Sequence, residues 1–276
     1  MKKNIRMVGL DLDGTLLNDR KKMSDYTRSV LEEAIAQGCV VLIATGRPIC
    51  AVSKEVLDVK GMKYALTVNG GKILDLETGE VLYSKPVPFE KAVEVLKICC
   101  EYDIIPEILT SGHIYTNAKC MTHLEDYYSN PSMIEYVVNT RTPVEDVTAL
   151  LHQTKESIDK LRAVFRHPEE RLEARRRLEA MPGLVIVNSS NVDLEINVEG
   201  TDKGSGLLWL GEQLGISREE IMACGDSNND YEMLKAVGWS VAMGNSEEAI
   251  KEIADYITDT NDNDGVAKAF EKFVLK

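Results

Sequence analysis

The sequence predicts an α/β fold in which a doubly wound parallel sheet carries an inserted α+β domain. Three observations support this prediction. Short apolar runs alternate with amphipathic helical stretches near the N-terminus, and the same alternation returns near the C-terminus. The middle of the chain breaks the alternation and holds seven of the eight prolines. Strands that alternate with helices form parallel sheets through right-handed crossovers, so the two ends are expected to form one core.

The N-terminal elements follow each other in βαβ order. Val8-Gly9-Leu10 predicts the end of a buried strand, and Ser24 predicts the N-cap of the following helix. Gly38 occupies the position after that helix where a left-handed residue is typical. The continuous apolar run Cys39–Ala44 indicates a strand covered on both faces, and residues 64–68 predict another strand.

The C-terminal elements repeat this order. Ser217 and Glu220 are spaced as a capping box just before the apolar run Ile221–Cys224. A turn and a helix follow, and Ser240–Met243 predicts the next strand. Ser246 is expected to cap the helix after it.

The domain boundaries are predicted from the proline-rich middle. Residues 1–83 and 189–276 are expected to form the core, and residues 84–188 the inserted cap domain. Lys85-Pro86-Val87-Pro88 predicts a stiff entry linker, because proline restricts the backbone. The polar stretch 187–191 predicts the exit and a hinge, so the insertion is expected to be a mobile cap that selects the substrate.

Composition excludes several partners. The 276 residues carry a net charge of −13, from 45 acidic against 32 basic side chains, which disfavours binding to nucleic acids or anionic membranes. No apolar run reaches the roughly 18–20 residues of a membrane span, and Met1–Arg6 does not lead into a signal peptide. The six cysteines show no CxxC or disulfide-like spacing, so a cytoplasmic location is expected. The oligomeric state stays open.

The strongest local signal is Asp11-x-Asp13 directly after the first predicted strand. Ligands of open parallel sheets bind beyond the carboxyl ends of the strands, which is where these carboxylates stand. Gly14 permits the sharp turn that lets both converge. Taken alone, the pattern is also typical of a solvated Asp-Gly turn.

Further polar residues follow other strands. Thr45 ends the second strand and offers a hydroxyl group, although it also suits a helix cap. Asp226 and Asp230 flank the turn after the strand at 221–224 and supply the hard oxygen ligands that Mg²⁺ prefers, although such a turn is also a common capped one. Lys203, next to Gly204, offers positive charge, although a surface lysine is the ordinary alternative.

In this order, these residues resemble the four-part signature of the haloacid dehalogenase-like hydrolase superfamily. The turn Asn69-Gly70-Gly71 and the position of the insertion resemble its Cof-type phosphatase subfamily, with Gly71 where that subfamily has alanine. The resemblance covers essentially the whole chain and implies a Rossmann-like core with an inserted α/β cap. The matching segments are Asp11-Leu12-Asp13-Gly14-Thr15-Leu16, Thr45-Gly46-Arg47, Lys203-Gly204 and Gly225-Asp226-Ser227-Asn228-Asn229-Asp230.

The resemblance implies a role for each matched residue. Asp11 is expected to be the nucleophile and Asp13 the acid and base. Mg²⁺ is the expected cofactor, bound by Asp11, the Asp13 main-chain carbonyl and Asp226, with Asp230 acting directly or through water. The residues expected to hold the phosphate ester are Thr45, Gly46, Arg47, Lys203 and Asn229.

Three functions remain open on the sequence. The first is a phosphatase for small metabolites such as sugar phosphates. The second is a phosphomutase that shares the same signature, and the third is a non-catalytic binding protein on this fold. Asp13 favours phosphate esters over haloacids, because an alkoxide leaving group needs a proton and a halide does not.

Overall fold

The structure is a computed structural model that describes residues 4–276. The strands are β1 (Met7–Leu10), β2 (Val40–Ala44), β3 (Tyr64–Thr67), β4 (Lys72–Asp75), β5 (Val81–Ser84), β6 (Ile104–Thr110), β7 (His113–Asn117), β8 (Arg141–Val144), β9 (Lys160–Phe165), β10 (Leu184–Val187), β11 (Asp193–Val198), β12 (Ile221–Gly225), β13 (Trp239–Ala242) and β14 (Tyr256–Ile257). The helices are α1 (Asp25–Ala36), α2 (Lys54–Leu57), α3 (Phe89–Cys99), α4 (Pro131–Thr140), α5 (Val147–Thr154), α6 (Pro168–Glu179), α7 (Lys203–Gln213), α8 (Tyr231–Ala236), α9 (Glu248–Ile253) and α10 (Gly265–Phe273).

The first compact unit comprises described residues 4–47, 52–83 and 202–276. Its sheet has the strand order β14-β13-β12-β1-β2-β3-β4-β5. The strands from β14 to β3 pair in parallel, and β4 pairs antiparallel to β3. The chain winds outward from β1 in both directions, so the doubly wound α/β core predicted from the sequence is confirmed.

Local sequence signals fix the ends of the first helix. The Ser24 side chain accepts a hydrogen bond from the backbone N–H of Thr27, which caps α1. Gly38 follows the helix with a φ of 94°, a conformation that favours glycine. The helix then buries Val30 and Leu31 within this unit. These caps confirm the predicted start and end of the helix.

The second unit comprises residues 48–51 and 84–201. Its sheet has the order β10-β11-β9-β6-β7-β8 and is mostly antiparallel. Leu161 on β9 belongs to a core cluster with Val95 of α3, Leu151 of α5 and Leu178 of α6. The predicted α+β character of this segment is therefore present.

The predicted exit from the insertion requires correction. Residues 188–192 form the turn of a β-hairpin, because β10 and β11 pair antiparallel with Val187 opposite Glu195. The strand β11 also pairs with β9, which places it inside the second sheet. The second unit therefore extends to Thr201 instead of residue 188, and the core resumes at Asp202. The polar composition of this turn led to the wrong boundary.

Two smaller predictions differ in outcome. The capping box of Ser217 and Glu220 is present before β12. In contrast, Ser246 does not cap α9, whose N-cap is Glu247. The Ser246 hydroxyl group instead donates to the carbonyl oxygen of Gly225 at 3.3 Å.

Two expectations, the absence of a membrane span and of a signal peptide, concern the helices and the N-terminal segment. No helix within residues 4–276 is long and apolar enough to cross a membrane. Of the basic segment at residues 1–6, the first three residues lie outside the described chain.

Candidate active site

The carboxyl ends of three neighbouring strands bring the predicted polar residues to one edge of the first sheet. In the register of the sheet, Leu10 at the end of β1 pairs with Ile43 on β2 and with Cys224 on β12. Asp11 therefore lies between the segments that follow the two neighbouring strands. The backbone N–H of Asp11 donates to the carbonyl oxygen of Cys224 at 3.1 Å, which fixes the start of this loop.

Lys203 is the buried cation of the site. Its Nζ lies 2.6 Å from Asp11 Oδ1 and 2.6 Å from Asp230 Oδ1, and its side chain is 0% exposed. Burial alone would lower the pKa of Lys203, but the two carboxylates outweigh burial and raise it, so the lysine is charged. The alternative of a surface lysine is therefore wrong.

The start of α7 places this lysine. The side chain of Asp202 accepts from the Ser205 N–H at 2.7 Å and caps the helix, so Lys203 is its first residue. A Cβ on Gly204 would lie 2.7 Å from the Ala236 Cβ, so only glycine lets α7 approach α8 so closely.

Asp230 holds the turn that follows β12. Its Oδ2 accepts from the backbone N–H groups of Asp226 at 2.9 Å and Ser227 at 3.1 Å, while Oδ1 faces Lys203. A Cβ on Gly225 would lie 2.6 Å from Asp230 atoms, so glycine makes room for this carboxylate. Asp230 thereby fixes the backbone of Asp226, which agrees with a supporting role.

Three carboxylates converge on the sheet edge. Oxygen atoms of Asp11, Asp226 and Asp230 lie within 4.8 Å of one another. Burial and the neighbouring carboxylates raise the pKa of both Asp11 and Asp226. One lysine cannot neutralise three carboxylates, so the cluster has the charge and the hard oxygen atoms that suit a divalent cation.

The second aspartate of the motif has opposite surroundings. Arg47 Nε lies 2.7 Å from Asp13 Oδ2, Arg47 Nη2 lies 2.6 Å from Asp13 Oδ1, and Lys21 Nζ lies 2.6 Å from the same Oδ1. Burial would raise the pKa of Asp13, but these two cations hold it well below its usual range. The Asp13 carboxylate is not among the three converging groups.

The expected phosphate-binding residues occupy the same edge. Thr45 is buried, and its Oγ1 accepts from the Arg47 N–H at 3.1 Å across Gly46. On the other side, Asn229 Oδ1 accepts from the Ser227 hydroxyl group at 2.9 Å, which orients its amide. These residues lie in the first unit, as do the carboxylates described above.

Sequence reasoning missed two residues of the site. Thr15 Oγ1 donates to Asp226 Oδ1 at 2.8 Å, although the resemblance had included Thr15 only as part of a motif. Lys21, the second residue, lies outside all four motif segments. The run Arg20-Lys21-Lys22, three successive cations in an acidic chain, was the available signal, but only the folded loop shows which of them reaches Asp13.

Comparisons with known proteins find relatives along nearly the whole chain. A sequence profile described as haloacid dehalogenase-like hydrolase matches residues 8–270. A 5-amino-6-(5-phospho-D-ribitylamino)uracil phosphatase of Bacillus subtilis is 32% identical over 99% of this chain and 97% of its own length. A further phosphatase of B. subtilis is 32% identical over 95% of this chain and 98% of its own length.

Solved structures share the fold along nearly the whole chain. The structure of a haloacid dehalogenase-like hydrolase from B. subtilis superposes with a TM-score of 0.87 at 29% identity, covering 97% of this chain and 99% of the other. One from Bacteroides thetaiotaomicron gives a TM-score of 0.80 at 29% identity, covering 97% and 98%. The chain therefore belongs to the haloacid dehalogenase-like hydrolase family as a Cof-type member, which confirms the resemblance seen in its sequence motifs.

Proposed function

We propose that this chain, a phosphoric monoester hydrolase, requires Mg²⁺ and transfers the phosphoryl group of a small metabolite through an aspartyl-phosphate on Asp11. The observation that carries the proposal is the contrast between two aspartates that stand two residues apart. Asp11 is buried beside Lys203 and two further carboxylates, whereas Asp13 is held by two cations. Different surroundings suit different roles in catalysis.

In the first half-reaction, Asp11 attacks phosphorus. A carboxylate oxygen of Asp11 forms the new P–O bond, and the bond from phosphorus to the leaving oxygen breaks. Asp13, which takes up a proton when the ester binds, passes that proton to the leaving oxygen, so the product leaves as an alcohol. Lys203, 2.6 Å from Asp11 Oδ1, fixes the orientation of the nucleophile and adds positive charge next to the transferred group.

In the second half-reaction, water attacks the phosphorus of the aspartyl-phosphate. Asp13, now a carboxylate, takes a proton from this water, and the bond between phosphorus and the Asp11 oxygen breaks. Inorganic phosphate leaves and the Asp11 carboxylate is restored. The ionised state of Asp13, which Arg47 and Lys21 favour, is the state that this step needs.

The three converging carboxylates fit a magnesium ion. Asp11, Asp226 and the main-chain carbonyl of Asp13 would hold it, with Asp230 fixing the Asp226 loop. Gly14 supports the fit, because a Cβ there would collide with the carboxylate of Asp226. When bound, the ion supplies charge neutralisation between the carboxylates and the phosphoryl oxygens.

The substrate class is a phosphate ester of a sugar or a similar polyol. A relative that is 32% identical along 99% of this chain is named as a phosphatase of a phosphorylated ribityl compound, which supports this class. The side chains that we place on the phosphoryl group all lie in the first unit. We therefore assign the choice of substrate to residues 84–201 of the second unit.

A phosphate-release screen tests the proposed function. Wild-type protein is assayed against sugar phosphates, polyol phosphates and nucleotides, with Mg²⁺ and with EDTA. We expect multiple turnovers on one or more polyol or sugar phosphates, and loss of turnover in EDTA that Mg²⁺ restores. Turnover that persists in EDTA contradicts the metal requirement, and a substrate converted to an isomer without phosphate release indicates a phosphomutase.

A segment exchange tests the assignment of substrate choice. Residues 84–201 are replaced by the corresponding segment of the B. subtilis ribitylaminouracil phosphatase. The chimera is expected to keep Mg²⁺-dependent hydrolysis of p-nitrophenyl phosphate and to acquire that relative's preference among metabolites. An unchanged preference in an active chimera contradicts the assignment.

A further inference from the structure

We propose that the turn Val68–Gly70, between β3 and β4, is a positioning element that fixes the phosphate-binding loop 45–47 relative to Lys203. This inference rests on the proposed function, in which that loop and that lysine hold the transferred phosphoryl group. The turn includes part of the motif Asn69-Gly70-Gly71, to which the proposed function gives no role. It acts through the residues that contact the substrate.

One side of the turn holds the backbone of the phosphate-binding loop. The backbone N–H of Asn69 donates to the Thr45 carbonyl oxygen at 3.0 Å. The N–H of Val68 donates to the Arg47 carbonyl oxygen at 3.2 Å. The N–H of Thr45 itself donates to the Leu66 carbonyl oxygen at 2.9 Å. Both backbone groups of Thr45 are therefore bonded to the end of β3 and its turn, which sets the direction of the threonine side chain.

The other side of the turn lies directly against the start of α7. A Cβ on Gly70 would be 2.1 Å from the Asp202 carbonyl oxygen and 3.2 Å from the Lys203 nitrogen. Only glycine permits such close approach of two backbones. Asp202 is the N-cap of α7 and Lys203 is its first residue. A displacement of this backbone would move the Lys203 ammonium group relative to Asp11, whose Oδ1 lies 2.6 Å away.

The turn has an unusual conformation for its sequence. The φ angles are 57° at Val68, 57° at Asn69 and 95° at Gly70. Residues other than glycine seldom adopt a left-handed backbone, and β-branched valine does so least of all. Such conformations persist where the surroundings over-determine them, and they cluster at functional sites. Here the surroundings are the loop 45–47 and the start of α7, and the turn keeps the one conformation that contacts both.

Two glycines of α7 provide a matched pair of test positions. A Cβ on Gly206 would lie 2.6 Å from the end of the Leu66 side chain and 3.3 Å from the Cα of Gly70. A Cβ on Gly211 would lie 2.8 Å from the end of the Ile221 side chain and 3.1 Å from a backbone oxygen. Alanine therefore introduces similar crowding and the same gain in helix propensity at both positions. Only at Gly206 does it press on the turn.

The test measures catalysis and the affinity for a transition-state analogue. The variants Gly206→Ala and Gly211→Ala are compared with wild type, with p-nitrophenyl phosphate as the substrate. Orthovanadate, which mimics pentacoordinate phosphorus, is the inhibitor, because its affinity reports the geometry of the groups around the transferred phosphoryl group. Thermal unfolding in EDTA measures stability separately. A merely structural role would change the melting temperature and leave kcat and the inhibition constant of the folded protein unchanged.

A second pair of variants tests the turn itself. The Cβ of Gly70→Ala would collide with the Asp202 carbonyl oxygen. Gly79→Ala is its control, because Gly79 has a φ of 75° and no heavy atom within 4 Å of an added Cβ. Both should lose stability through backbone strain. Only Gly70→Ala should also lose activity, by about a hundredfold. If Gly70→Ala does not fold, the pair on α7 decides.

We expect Gly206→Ala to lower kcat and to raise the inhibition constant of orthovanadate, each by about three- to tenfold, because a misplacement of about 1 Å costs about a hundredfold. Gly211→Ala should resemble wild type in both quantities. Equal kcat and equal inhibition by orthovanadate in the two α7 variants would overturn the proposal. A folded Gly70→Ala protein that is as active as Gly79→Ala would also overturn it. Wild-type protein that releases phosphate from no ester overturns the proposed function itself, and this inference with it, before any variant is compared.

Discussion

The ammonium nitrogen of Lys203 lies 2.6 Å from a carboxylate oxygen of Asp11, and both side chains are buried. The two residues are 192 positions apart in the sequence, at the end of β1 and at the start of α7. Their contact joins the two halves of the discontinuous core at the site where we place the chemistry.

Replacing Lys203 by Met should impair both activity and stability. The change leaves the carboxylates of Asp11 and Asp230 buried without their cation, and breaking a buried ion pair in this way costs about 3–5 kcal/mol. We expect a large fall in kcat and a lower free energy of urea unfolding in EDTA. Lys251→Met, which removes a surface contact with Glu248 at 3.0 Å, is the control. Equal stability of the two variants would contradict the claim that the buried contact between Lys203 and Asp11 stabilises the fold.

Gly14→Ala should weaken magnesium binding. Gly14 has a φ of 85°, and a Cβ there would collide with the carboxylate of Asp226. Gly38→Ala is a matched control, because Gly38 has a φ of 94° but no heavy atom within 4 Å of an added Cβ. Both variants should lose about 1 kcal/mol from backbone strain. Only Gly14→Ala should also raise the Mg²⁺ concentration that gives half-maximal activity. The same Mg²⁺ dependence in Gly14→Ala and Gly38→Ala would show that the added Cβ does not disturb the Asp226 carboxylate.

Thr15→Val should raise the Mg²⁺ requirement while leaving the fold intact. The hydroxyl group of Thr15 donates to Asp226 Oδ1 at 2.8 Å and so orients this carboxylate. Loss of such an outer-sphere bond typically reduces metal affinity by about 10–100-fold. Thr15→Ser, which keeps the hydroxyl group, should retain most of the affinity. Calorimetric titration with Mg²⁺ measures both, and unchanged affinity in Thr15→Val would remove this role.

Sequence patterns predicted the core well because its signals are local. Continuous apolar runs specified the parallel strands, and Ser24 and Gly38 marked the ends of α1. The predicted C-terminal boundary of the insertion was wrong because a polar hairpin turn and a polar linker have the same composition. The strands β9 and β11 are far apart in sequence, and only their pairing assigns Asp193–Val198 to the second sheet.

The candidate site shows the same division. Motif residues such as Asp11 and Asp226 could be named from their positions after strands. The contacts of Lys21 and Thr15 could not, because each depends on the conformation of a loop and on a partner contributed by tertiary structure. Sequence alone also gave no way to see that Lys203 is buried.

The second unit should lose stability in acid through Glu107. Burial would raise the pKa of Glu107, but Arg141 and Arg162, whose guanidinium nitrogens lie 2.8–3.2 Å from it, lower it to about 2. A depressed pKa contributes stability above the unfolded pKa of about 4.3 that is lost as pH falls toward 2. In Glu107→Gln, the deficit in unfolding free energy should be largest near pH 7 and shrink below pH 4. A deficit independent of pH would show that Glu107 is not ionised in the folded protein.

Acid-quench trapping of the phosphoenzyme tests the central claim most directly. Wild-type protein is mixed with Mg²⁺ and a phosphate-labelled substrate, quenched within one turnover and digested, and the labelled peptide is sequenced by mass spectrometry. We predict a hydroxylamine-sensitive acyl phosphate on Asp11, and no label in Asp11→Asn, whose kcat should fall to less than about a hundredth of wild type. Label on another residue, or turnover in Asp11→Asn above that level, would contradict the assignment of Asp11 as the nucleophile.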